Sequence, residues 1–209
     1  KYRIQIWRDR LYDVSWFMRC LNEPIAKMAN KEDGCTGRFW EGRFKSQSLL
    51  DEQSVLTCMA YVDLNPIRAG IAKAPESSDF TSIKKRIKLK KDNKKSKKSV
   101  SGLMPFSGKK EFAINKPFIP FSLNDYLQLL DDTGRVIRDD KKGFISDYKS
   151  PILQRLNIEP DNWLHLSKHF SANFQSIVGI KTHIISKLKD FHLSKALGLS
   201  NSGFLFNKK

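Results

Sequence analysis

Three groups of residues in this chain have types and spacing that suggest chemistry. Ser54, Thr57, Tyr61 and Asn65 recur every three or four positions, so on a helix they form one polar stripe with a tyrosine at its centre. As it stands, a Tyr–Asn pair one turn apart is also an ordinary hydrogen-bonded pair on a solvated face. Arg38-Phe39-Trp40-Glu41-Gly42-Arg43-Phe44-Lys45 interleaves aromatic and basic side chains, which is what stacking on bases beside phosphate contacts requires. An amphipathic strand with a wet basic face would have the same composition. His165 and His169 have the i,i+4 spacing that can ligate zinc, but no glutamate follows His165 and no third ligand is evident. There is no glycine-rich phosphate loop, Ser-His-Asp set or convincing carboxylate pair.

The stripe needs a helix. Asp51 is placed to cap its start, Pro66 disfavours helical geometry before it, and Gly70 suits a tight turn, so the helix is expected at about 52–65. Val55, Leu56, Met59, Ala60 and Val62 give it a broad apolar side facing away from the polar stripe. Residues 38–47 read as an extended strand, with Phe39, Glu41, Arg43 and Lys45 on one side and Trp40, Gly42, Phe44 and Ser46 on the other.

Residues 1–29 carry a 3-4-3-4 apolar stripe from Ile4 to Met28, interrupted by Pro24, which should kink or break the helix; Asn22 could cap a restart. The stripe fits either packing within its own domain or a homodimer seam. Residues 71–83 form a connector. A lysine run follows, solvated and poorly ordered or a frayed helix by its composition. Prolines and glycines from Val100 to Phe121 mark a boundary. Beyond it, helices are expected at 122–131, 151–156, 161–170 (capped by Asp161) and about 182–191, with a basic turn at 134–143. The chain thus divides into 1–83, a lysine-rich linker at 84–121, and a small helical module at 122–209.

Of the net charge of +16, the segment 84–98 alone supplies +9, with ten Lys or Arg against Asp92. That excess points to a polyanion, nucleic acid before membrane. Three cysteines without a Cys-x-x-Cys pair, no long apolar run and no signal-peptide pattern fit a reduced, cytoplasmic setting.

Tyr61-Val-Asp-Leu-Asn65-Pro-Ile-Arg-Ala-Gly70, preceded by Gly37-Arg-Phe-Trp-Glu-Gly-Arg-Phe-Lys-Ser46, closely resembles the REP-associated tyrosine transposases. These are single-strand DNA transposases of the histidine–hydrophobic–histidine class. The likeness is strongest over residues 10–87 and weaker through 121–165. It implies that Tyr61 is the nucleophile, forming a covalent 5′-phosphotyrosyl link that a second strand end displaces. With a pKa near 10, only about one tyrosine in a thousand is ionised at neutral pH, so activation is required. The resemblance implies that Asn65 helps to hold a divalent metal, Mg²⁺ or Mn²⁺. Single-stranded or hairpin DNA is the expected partner, with Arg38, Trp40, Arg43, Lys45 and Arg68 as contacts.

One departure is serious. The family's other metal ligands are a His-x-His pair N-terminal to this motif, and this chain has no histidine before His165. The chain opens at Lys1, so the expectation is an N-terminally truncated and inactive copy. Its fold class is α+β, predominantly helical, with one strand or short hairpin near 38–47 and helix faces left partly uncovered. The rivals to a transposase are a non-catalytic nucleic-acid-binding protein and a helical interaction protein.

Overall fold

A computed structural model describes residues 2–92, 102–106, 117–137, 150–188, 190, 192, 195, 196 and 198–206. The chain separates into two compact units, residues 1–46 and 47–209. This division falls inside the segment 1–83.

The first unit holds α1 (Tyr2–Leu11) and α2 (Val14–Glu32). The break falls at Asp13, whose carboxylate accepts from Ser15 N at 2.7 Å and Trp16 N at 3.4 Å. Pro24, expected to kink or break the helix, instead lies inside α2. A good cap satisfies the orphan donors of a new first turn, and here it sets the boundary eleven residues earlier. No residue of either helix is buried, and Trp7, Leu11, Phe17, Leu21 and Met28 are exposed.

Residues 38–47 form no strand, which corrects the sequence reading. Phe39 and Trp40 fold edge to face at 4.8 Å, and Trp40 Nε1 donates to Asn22 O at 3.1 Å. The bend at residues 40–42 ends the alternation a ladder needs.

The second unit begins with β1 (Ser48–Leu49), then α3 (Glu52–Asp63), α4 (Asn65–Arg68) and α5 (Ser82–Asp92). It continues with α6 (Leu123–Ile137), α7 (Pro151–Arg155), α8 (Pro160–Asn173), β2 (Ile177–Val178), α9 (Lys181–Leu188) and α10 (Leu199–Leu205). The protein is mostly helical, with one two-stranded parallel sheet among the described residues; Ser48 pairs with Ile177 and Leu49 with Val178.

The core lies where α3 packs on α8 with α6 beside them. Leu56, Ala60 and Leu64 meet Leu129, Leu130, Trp163, Leu166 and Phe170 there, all essentially without solvent exposure. Full burial of one large apolar side chain contributes about 1.5–3 kcal/mol. This face of the tyrosine helix therefore belongs to one core with residues 123–173. Trp163 donates from Nε1 to Thr133 Oγ1 at 2.8 Å, so its one polar atom is satisfied.

Two expected features of the later half change. The turn predicted from Gly134 begins instead within α6, which runs on to Ile137; residues 138–149 lie outside the described residues. A Cβ at Gly134 would lie 3.5 Å from Leu64 Cδ2, an ordinary contact distance, so a methyl would fit here. The cap of α8 is Glu159 rather than Asp161, because Pro160 takes the first helical position. The lysine run is helical as far as Asp92, and residues 93–101 lie outside the described residues. Among the described residues no helix is long and apolar enough to cross a membrane.

Candidate functional site around Tyr61

Asp51 starts the tyrosine helix with a reciprocal cap. Its Oδ1 accepts from Ser54 N at 2.9 Å, while Ser54 Oγ bonds Asp51 N at 3.2 Å. The helix ends at Leu64, and Pro66 sits in the first turn of α4. Gly70 then turns the chain at φ +70°, where a side chain would be strained. The motif is thus a helix, a one-turn helix and a tight turn.

The first half of the polar stripe is not a solvated face, whereas Asn65 at its end is exposed. Ser54 and Thr57 are fully buried, while Val62, on the expected apolar side, is exposed. Thr57 Oγ1 donates to Gln53 O at 2.7 Å and Ser54 Oγ to Asp51 O at 2.8 Å. Hydroxyls satisfied by their own helix can enter a core without an orphan donor.

Tyr61, next along the stripe, is half-buried against α8. Its Oη lies 2.9 Å from Ser171 Oγ, and its ring tilts against Phe170 at 5.6 Å. The Arg68 guanidinium sits 4.1 Å from the centre of the same ring. Arg68 also donates to Ser167 O at 3.0 Å, to Lys168 O at 3.5 Å and to Asn65 Oδ1 at 2.5 Å. Those two carbonyls adjoin His169, whose backbone (φ −124°, ψ 23°) kinks α8. Tyr61, Asn65, Arg68 and Ser171 therefore make one connected polar cluster, but Tyr61 and Asn65 do not bond each other.

The donors present do not fit a divalent metal. Asn65 Oδ1, the expected ligand, faces a guanidinium, and a cation there opposes a second one. Among the described residues, no three His, Cys, Asp or Glu side chains converge as a metal site. The rings of His165 and His169 are 5.0 Å apart, and His165 Nε2 pairs with Asn173 Oδ1 at 3.4 Å. Chemically the cluster offers a phenol beside a neutral hydroxyl, with a fixed cation over its ring. Neither a histidine nor a carboxylate bonds Tyr61 Oη among the described residues.

The other expected DNA contacts divide between the units. Arg38, Trp40, Arg43 and Lys45 are exposed in the first unit, and Arg68 lies in the second. Arg68 is occupied by three intramolecular acceptors and a ring.

Sequence reasoning missed Ser167, Phe170 and Ser171, which arrive from about a hundred positions away with no local signal. It also missed Asp63, inside the motif. Asp63 is buried and accepts from Tyr126 Oη at 2.8 Å and Ser82 Oγ at 3.0 Å. Burial pushes its carboxyl above the ordinary range, against these hydrogen bonds. Burial, together with Asp63, pushes the Tyr126 phenol well up. No local signal marks Asp63, because its partner Tyr126 lies 63 positions away.

Comparison of the chain with protein-family models, curated proteins and solved structures returns no match.

Proposed function

We propose that this chain is the tyrosine-bearing part of a DNA transposase that cuts and rejoins single-stranded DNA through Tyr61. Its fold would then be the later portion of a transposase-like α+β domain, extended by the helices after residue 122. In this reading Tyr61 Oη attacks a phosphodiester phosphorus. The P–O bond to the 3′ oxygen breaks, the 3′ oxygen keeps the electron pair and takes a proton, and a 5′-phosphotyrosyl bond remains. A second 3′-hydroxyl then attacks that phosphorus, restoring the diester and the phenol.

The observation that carries this reading is the run Tyr61–Gly70, folded with a half-buried tyrosine under the Arg68 guanidinium. A cation fixed there lies close enough to attract a phosphate.

A second reading, a non-catalytic protein that binds nucleic acid, is favoured by the tie between Asn65 and Arg68. With that carbonyl engaged and no His-x-His motif in the sequence, the 209-residue chain is expected to bind rather than cut.

Covalent capture separates the readings. Labelled single-stranded DNA and Mn²⁺ are added to the 209-residue chain and to a form extended by any upstream reading frame. A denaturation-resistant adduct that disappears in Tyr61→Phe supports the nucleophile. Salt-sensitive binding without an adduct in either protein supports the second reading. No binding at low salt overturns both.

A further inference from the structure

The most anomalous residue on the second unit is not in the tyrosine cluster. Phe80 is fully exposed, at 107% of its reference surface, and its backbone lies in the left-handed region at φ +62°. A bulky residue at positive φ is strained, and a phenylalanine ring wholly in water is unfavourable. Among the described residues Phe80 makes no ring or cation contact that would offset either cost.

The strain is held from both sides. Ser78 is buried and donates to Ala74 O at 3.1 Å, while Thr81 Oγ1 donates to Ser78 O at 2.7 Å. Ser82 Oγ donates to Asp63 Oδ1 at 3.0 Å, and Ile83 is fully in the core. Flanks anchored this way over-determine the residue between them. Strain that persists because its surroundings enforce it recurs at ligand clamps.

Phe80 forms one wall of an open groove of about 490 Å³, with Thr81, Ser82, Lys84, Lys85 and Lys88. Lys84 also pairs with Asp79, which lies outside the lining. An exposed aromatic face beside three ammonium groups complements one kind of ligand well: an unstacked base carried on a phosphate chain. A duplex keeps its base faces covered by neighbouring pairs, so it gains the charge contacts but not the stacking.

From this geometry we infer that Phe80 and the lysines at the start of α5 form a stacking platform for single-stranded DNA, separate from Tyr61. A base stacks on the Phe80 ring, and the adjoining phosphates run along Lys84, Lys85 and Lys88. The inference rests on the proposed partner, single-stranded DNA, but not on cleavage. Through Ser82 and Asp63 the platform is tied to the tyrosine helix, two residues beyond Tyr61.

The test is fluorescence anisotropy on the full chain, with labelled oligothymidylate, the matching duplex and anionic vesicles as probes. Phe80→Ala should weaken oligothymidylate binding about tenfold, within the range that stacking one base supplies. Phe80→Trp should restore it. Phe80→Gly should bind as weakly as the alanine variant while unfolding at a higher temperature, because glycine relieves the left-handed strain. That combination separates loss of the ring from loss of the fold. Lys88→Gln should lower the salt slope by about 0.7, the share of one phosphate on a single strand. Duplex binding should be nearly indifferent to Phe80. Wild-type binding that Phe80→Ala leaves unchanged would overturn the platform while sparing the partner. An equal loss on duplex, or a Phe80 dependence seen with vesicles alone, would also overturn it. A wild-type chain that does not bind oligothymidylate would instead remove the partner itself.

Discussion

Asp51 ties the tyrosine helix to the last third of the chain, and that junction can be measured. Its side chain is only 5% exposed. One oxygen caps α3 through Ser54 N at 2.9 Å; the other accepts from Ile180 N at 2.6 Å and faces His183 Nδ1 at 3.2 Å. Asp51→Ala removes a cap, about 1 kcal/mol, and orphans the Ile180 donor, about 1–3 kcal/mol. His183 is half-exposed, so its pairing adds little. The expected loss is about 2–4 kcal/mol. Gly179→Ala attacks the same carboxylate from the other side, since its Cβ would lie 2.7 Å from Asp51 Oδ2 and 3.0 Å from Leu50 Cβ. Overpacking of this kind costs about 1–3 kcal/mol.

Because both changes break the bond to Ile180, their effects should not add. The double variant Asp51→Ala/Gly179→Ala should recover about 1–2 kcal/mol of the summed cost, since the carboxylate no longer occupies the space the methyl needs. The contact with Leu50 keeps the recovery incomplete. Urea unfolding followed by far-UV circular dichroism, on wild type, both single variants and the double, gives the coupling directly. Additivity within about 0.5 kcal/mol would show that the carboxylate does not join the two segments.

Two further substitutions test the core around the motif. Between the ordinary aspartate value near 3.9 and its raised folded value, Asp63 holds a proton that the unfolded chain has released. Stability from this group should therefore fall as pH rises through that window, and Asp63→Asn should flatten the slope in denaturant melts run across it. At Gly134, a methyl would meet Leu64 Cδ2 at 3.5 Å and Ile67 Cδ1 at 3.9 Å, ordinary contact distances, on a residue inside a helix. Gly134→Ala should therefore stabilise the protein by about 0.5–1 kcal/mol in urea unfolding; a destabilisation would show that α4 and α6 lie closer than their geometry indicates.

What was legible in the sequence was what local chemistry decides. The Asp51 cap, the stop before Pro66 and the turn at Gly70 each follow from one or two residues and their neighbours. Competition between local signals misled. Pro24 looked like the breaker of the first helix, yet Asp13 satisfies two donors and takes that role. Residues 38–47 alternated like a strand, but the backbone partner that β1 finds lies at Ser176 and Val178. A parallel pairing over such a separation has no counterpart in local sequence. The polar stripe misled for a third reason: residue type does not reveal whether a hydroxyl is satisfied within its own helix. Ser54 and Thr57 are, and so they are buried.

These arrangements bear unequally on what Tyr61 can do. Releasing its hydroxyl from Ser171 would cost about 0.5–1.5 kcal/mol, small beside a reaction barrier, so that hydrogen bond alone would not silence a nucleophile. Arg68 is a stronger constraint. Its bonds to Ser167 O and Lys168 O hold the α4 turn against α8, and freeing Asn65 for another cation would leave a guanidinium beside that cation. Turning this surface toward metal-assisted chemistry would thus require Arg68 to move, and with it the packing of the motif on the later helices. At the Phe80 groove the ring is uncovered and its flanks are already fixed, and only the exposed pair of Lys84 with Asp79 competes for a phosphate. In the arrangement described, binding a strand beside α5 needs less rearrangement than cutting one at Tyr61.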